Sequence, residues 1–199
     1  MGGAVTAESL SPWPVPPPDG YTVDDLFTLP DLPSHAELID GSLVFVSLSP
    51  RRIFDMATLY LLESGSRRTV PDHLLVGREM TVVLGPRDAP EPDLFVVREE
   101  AVRSRRQISF EAANVLLVGE VVSPDSEARD RDTKPRKYAA AGVPHFWLVE
   151  MAGDEDHPVV HTYERDPVTQ VYALTGIHHE RLRLSVPFSL DIDLATGPR

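Results

Sequence analysis

The chain has 199 residues, enough for one ordinary domain with a sizeable core, and its 42% hydrophobic and 25% charged residues match a soluble globular protein. It contains no cysteine, which excludes disulfides, thiolate catalysis and thiolate zinc sites together. The formal net charge of -12 argues against a surface that grips nucleic acid through a global basic footprint.

Residues 1–20 carry Pro12, Pro14, Pro16, Pro17 and Pro18, a composition that favours an extended or disordered arm over a packed element. The start lacks a basic segment followed by an apolar one, so it does not read as a secretory signal. No apolar stretch approaches the roughly 20 residues that span a bilayer. A cytoplasmic location and no membrane association are therefore expected. A single domain is expected over 21–199.

Within it, Thr22–Leu29 reads as a short helix, with Asp24 and Asp25 suited to its N-terminal turn. AELIDGSLVFVS (36–47) is two apolar-rich halves around Asp40-Gly41, a strong hairpin signal. Arg52–Ser66 reads as a helix whose expected buried face is Ile53, Met56, Ala57, Tyr60 and Leu61.

Strands are expected at Leu74–Val76, Thr81–Leu84 and Asp93–Val97. Val115–Val122 is longer and almost continuously apolar, as in a strand buried on both faces. A helix over Asp132–Ala141 tolerates Pro135 in its first turn, and Gly142 and Pro144 stop it. Phe146–Glu150 re-enters the sheet, and 159–164, 171–174 and 181–186 read as a terminal antiparallel meander. This order implies an α/β domain with a mixed central sheet flanked by helices.

Chemistry is concentrated in a few acids. Glu120 interrupts the apolar strand NVLLVGEVVSP, and burying its carboxylate demands a cation, a proton or a metal. Otherwise it emerges into solvent at a strand end. Asp93 follows Pro92 and directly precedes LFVV, at the mouth of another strand; Pro-Asp alone is a common turn. Two such carboxylates on neighbouring strands repel each other unless a divalent cation neutralises them, and hard oxygen ligands suit magnesium or manganese. Lys134 opens the helix that follows the Glu120 strand. It can orient or deprotonate an attacking water, stabilise a growing negative charge, or belong to a solvated basic face with Arg136 and Lys137. Tyr138 lies one turn on from Lys134 and is read as a core tyrosine. RDRDTKPRK (129–137) holds five basic residues against two acidic ones, a local exception to the acidic mean.

The stretch EVVSPDSEARDRDTKPRKYAAAGVPHFWLVE (120–150), with EPDLFVV (91–97) and AELIDGSLVFVS, resembles the Uma-two family. These are small bacterial endonucleases with the PD-(D/E)XK, restriction endonuclease-like fold. The resemblance runs from about Tyr21 to the C-terminus. It implies that Asp93 and Glu120 are metal ligands, that the Val121 carbonyl adds an oxygen, and that Glu37 completes the site. The usual motif lysine position is Val122, which can do no acid–base work. The resemblance assigns that role to Lys134. It further implies a magnesium cofactor, with manganese possible, and a nucleic-acid partner, DNA by expectation. Arg129, Arg131 and Arg136 are the candidate backbone contacts, and a homodimer is expected from the symmetry of duplex cleavage. A catalytically inactive binding module on the same fold is the alternative.

Overall fold

The computed structural model describes residues 15–45, 53–153 and 157–195. Most of the proline-rich arm, the end of the hairpin segment at 46–47 and Arg52 lie outside these residues. The elements are α1 Val23–Thr28, β1 Ala36–Ile39, β2 Ser42–Phe45, α2 Ile53–Thr69, β3 Leu74–Gly77, β4 Thr81–Val83, β5 Leu94–Arg98, β6 Ser109–Glu111, β7 Val115–Val121, α3 Lys134–Ala140, β8 His145–Ala152, β9 His157–Arg165, β10 Tyr172–His178, β11 Arg181–Leu184 and β12 Leu190–Asp193. Helix α1 starts where a capping box forms, the Thr22 hydroxyl accepting from the Asp25 N–H while the Asp25 carboxylate accepts from Thr22.

A six-stranded sheet in the order β10-β9-β8-β7-β5-β3 organises the molecule. β7 and β8 are parallel and joined through α3, while every other adjacent pair in the sheet is antiparallel. The expected mixed α/β architecture is therefore present. The meander runs through β8, β9 and β10, but β11 leaves the sheet and pairs with β12 in a separate ribbon. β6 and β12 were not expected from the sequence. Both are short and paired with strands outside the main sheet, β6 running parallel to β4.

Each face of the sheet carries its own apolar layer. On one, Leu59 and Leu62 of α2 and Leu182, Leu190 and Ile192 of the β11–β12 ribbon cover Val76, Val96, Leu117, Trp147 and Val149. On the other, Tyr138 of α3, Val82 of β4 and Phe110 of β6 cover Phe95, Val118, Phe146 and Leu148. β7 lies between both layers, which explains its unbroken apolar run.

Helix α2 forms as expected but presents a different face. Its buried residues are Asp55, Thr58, Leu59, Leu62, Gly65 and Ser66. Ile53, Met56 and Tyr60 are exposed at 72%, 57% and 66%, so three of the five residues expected to be buried point outward, while Leu61 packs at the margin of the core. The physical reason is close approach. A Cβ on Gly65 would lie 2.4 Å from Ile192 Cδ1, so small residues are what let the ribbon pack onto this helix.

The two faces separate by mutation. Leu62→Ala removes a fully buried side chain and is expected to cost about 2–5 kcal/mol. Tyr60→Ala is expected to change stability by no more than about 0.5 kcal/mol. Urea denaturation of both variants checks this, and comparable losses would return Tyr60 to the core.

Candidate metal centre at the end of β7

The site assembles where strand ends and one helix start converge. β5 and β7 are antiparallel, with Leu94 opposite Gly119. Continuing that register by one residue sets Asp93 across from Glu120. Asp93 Oδ2 accepts the Val121 N–H at 2.7 Å, locking the mouth of β5 to the end of β7. This N–H is the atom of Val121 seen to engage the acids.

Glu37 arrives from β1. The hairpin closes through Asp40 (φ 50°) and Gly41 (φ 72°), both in the positive-φ region that a two-residue type I′ turn requires. β1 is bonded on its other side to the segment leading into β5, through reciprocal Leu38–Ala89 bonds of 3.1 and 2.8 Å. Glu37 Oε1 also accepts the Glu91 N–H at 2.9 Å. Burial of every residue of β1 follows from this double pairing.

Lys134 comes from the helix after β7. Residues Arg129–Thr133 form a π-helical turn, in which the Lys134 N–H reaches back to the Arg129 carbonyl, and α3 follows directly. The expected helix thus begins with a wider turn than sequence spacing suggested. Asp130, Lys134 and Tyr138 recur at four-residue intervals, and all three are buried. Lys134 Nζ lies 2.8 Å from Glu37 Oε1, 3.2 Å from Glu120 Oε2 and 3.4 Å from Asp130 Oδ1. The Tyr138 hydroxyl donates to Glu120 Oε1 at 2.7 Å. At the rim, Lys137 ties α3 to the hairpin turn through Asp40 at 2.5 Å and to Asp88 at 2.8 Å.

Burial governs the charges. Glu120 is 1% exposed, and desolvation pushes its carboxyl well above the usual range. Asp130, Asp93 and Glu37 push the same way, while Lys134 opposes them. Asp130 is raised for the same first reason. Burial alone would lower Lys134, but the charges of Glu120, Glu37 and Asp130 overcome it and hold the ammonium above its ordinary value. Tyr138 is raised well above the phenol range by burial and then by Glu120, so it keeps its proton and donates.

The sequence-expected Glu37, Asp93, Glu120 and Lys134 are therefore brought together. Asp130 was missed, although its four-residue spacing from Lys134 was visible within RDRDTKPRK. Tyr138 is a core residue as expected, and it also holds Glu120. Among the arginines, Arg131 pairs with Glu127 at 3.1 Å and also with Glu150, and Arg136 pairs with Asp132 at 2.6 Å. Arg129 Nε is buried without a hydrogen bond.

Among the described residues no three acidic or histidine side chains are arranged as a ready-made metal cage; the acids are gathered around the ammonium instead. Their chemistry nevertheless fits a divalent cation. Three buried carboxyl groups, Glu37, Glu120 and Asp130, face one ammonium, and a fourth, Asp93, is buried beside Glu120 on the Val121 N–H. Asp130 Oδ1 makes no hydrogen bond despite its nearness to Nζ. Such a surplus of hard oxygens suits a small divalent ion.

A family model described as Uma2, putative restriction endonuclease, matches residues 23–197. The chain belongs to the Uma2 family. This bears out the resemblance carried by the 120–150 block. A solved structure with the same fold is that of a putative nuclease belonging to DUF820 from Anabaena variabilis ATCC 29413. It superposes with a TM-score of 0.64 at 17% identity, covering 87% of this chain and 95% of that one. No functionally curated protein matches the chain.

Two outcomes test the electrostatics. Lys134→Met leaves the buried carboxylates without their ammonium and is expected to cost about 3–5 kcal/mol at neutral pH. Because the folded Glu120 carboxyl is raised, its contribution is fully present below about pH 4.5 and is lost as pH rises through the folded value. In chelator, wild type should therefore lose stability relative to Glu120→Gln between pH 4.5 and neutrality. Urea titrations across that range check the sign, and a constant difference would remove Glu120 as the cause.

Proposed function

We propose that the chain is a metal-dependent endonuclease that hydrolyses phosphodiester bonds of DNA. The observation that carries this reading is the convergence of Glu37, Asp93, Glu120 and Lys134 at the end of β7 in a Uma2 chain. Asp93, Glu120 and Glu37, with the Val121 carbonyl, would hold magnesium or manganese. A divalent ion bound there supplies Lewis-acid polarisation of the phosphoryl oxygen and an acidified water.

The remaining roles belong to the chain's own groups. Lys134 is held as an ammonium by its carboxylate neighbours, so it suits stabilising the negative charge that grows on phosphate oxygen better than deprotonating water. Tyr138 keeps Glu120 in one orientation. Arg129, Arg131 and Arg136 would meet the nucleic-acid backbone. For Arg131 and Arg136 that means exchanging Glu150 and Asp132 for phosphate. Two copies would present two sites to a duplex.

The net charge of -12 and the three carboxylates already engaged by Lys134 favour a second reading, a non-catalytic binding module. The two readings separate in a cleavage assay on plasmid and single-stranded DNA at low salt, with magnesium, manganese or chelator. Metal-dependent cleavage is expected in wild type and lost in Glu120→Ala. Lys134→Ala is expected to lower kcat by about 10²–10³-fold. Equal cleavage by wild type and Glu120→Ala would place the activity elsewhere. Magnesium-dependent thermal stabilisation with no cleavage of any substrate would support the binding module.

A further inference from the structure

The two oxygens of Glu120 are held by partners of very different stiffness. Oε1 accepts from the Tyr138 hydroxyl at 2.7 Å, and Oε2 accepts from Lys134 Nζ at 3.2 Å. Tyr138 is 0% exposed, and its ring packs 6.2 Å from that of Phe146 within the layer that includes Val118 and Val143. A buried aromatic side chain with two torsions cannot follow a carboxylate that turns away. Lys134 differs on both counts. Its stem is flexible, and its ammonium is shared with Glu37 and Asp130, so it can release Oε2 and keep other partners. Oε1 is thus the committed oxygen of Glu120, and Oε2 the exchangeable one.

That division has a consequence for any cation the acids hold. A carboxylate with one committed oxygen presents the other singly. Magnesium requires near-ideal octahedral geometry with short bonds of about 2.0–2.1 Å, which single oxygens satisfy. Calcium is larger, tolerates irregular geometry and readily takes both oxygens of one carboxylate.

We propose that Tyr138 is a positioning residue that makes Glu120 a one-oxygen ligand and so tunes the site toward a small octahedral cation and against calcium. The inference rests on the reading that Asp93, Glu120 and Glu37 hold a divalent ion. It assigns to Tyr138 no contact with the ion or the substrate.

The test is calorimetric titration of wild type and Tyr138→Phe with magnesium, manganese and calcium chlorides, without nucleic acid. Phenylalanine keeps the ring packing and removes only the hydroxyl. The decisive quantity is the ratio of calcium to magnesium dissociation constants. It should fall by about tenfold in the variant as Glu120 becomes free to offer both oxygens. An unchanged ratio would overturn the role of Tyr138, even if all affinities dropped together, because that is what a merely structural loss produces. If Tyr138→Phe does not fold, 4-fluorophenylalanine in place of Tyr138 fills the hydroxyl's space without its donor, and the same ratio is read. Absence of binding by wild type to any of the three ions would sink the metal reading itself, and this inference with it.

Discussion

An ammonium group buried among carboxyl groups is the constraint around which the rest of the molecule is arranged. Lys134 is 4% exposed and touches Glu37, Glu120 and Asp130, which are no more accessible. Buried in their charged form, these acids need a compensating cation, and the buried ammonium in turn needs them. Asp93 adds a fourth buried acid, secured by the Val121 N–H. The site is thus an ionic cluster set into the end of a sheet whose faces are otherwise apolar.

The fold supplies what such a cluster needs. Antiparallel pairing of β5 with β7 brings Asp93 and Glu120 abreast. The crossover from β7 to its parallel neighbour β8 returns α3 beside the strand end, and the π-turn before it directs Asp130 inward on the same side as Lys134. The β1–β2 hairpin carries Glu37 in from the side, held by backbone bonds to Arg87 and Ala89, by the Glu91 N–H on the Glu37 carboxylate, and by Lys137. Each acid is delivered by a different element, so the site exists only when the whole assembly is folded. Any function of the site is therefore coupled to global stability.

Much of this was legible beforehand, for identifiable reasons. Glu120 stood out because an acid within NVLLVGEVV breaks a pattern that burial enforces. The hairpin was legible because Asp-Gly satisfies two consecutive positive φ angles. Asp130 was hidden because a charge run reads as a solvated face, and the spacing that turns one acid inward is a tertiary matter. Helix α2 misled for the opposite reason. Its large apolar residues, Ile53, Met56 and Tyr60, form a convincing stripe, yet the sheet and the β11–β12 ribbon chose the side with Gly65 and Ser66, where closer packing is possible.

By itself, the sequence determined the class of fold, the order of most strands and helices, and the identity of four of the ionisable groups at the centre. The fold class, the elements and the anomaly of Glu120 depend on local pattern, namely alternation, periodicity, turn chemistry and a charge in an apolar run, whereas Glu37 and the part given to Lys134 came from the resemblance to a family. Only the tertiary structure decided which oxygen meets which partner. It gave Glu120 Oε1 to Tyr138 and Oε2 to Lys134, recruited Asp130, and turned Ile53, Met56 and Tyr60 of α2 outward. Those outcomes depend on distances of a few ångströms between residues far apart in the chain, and no one-dimensional pattern records them.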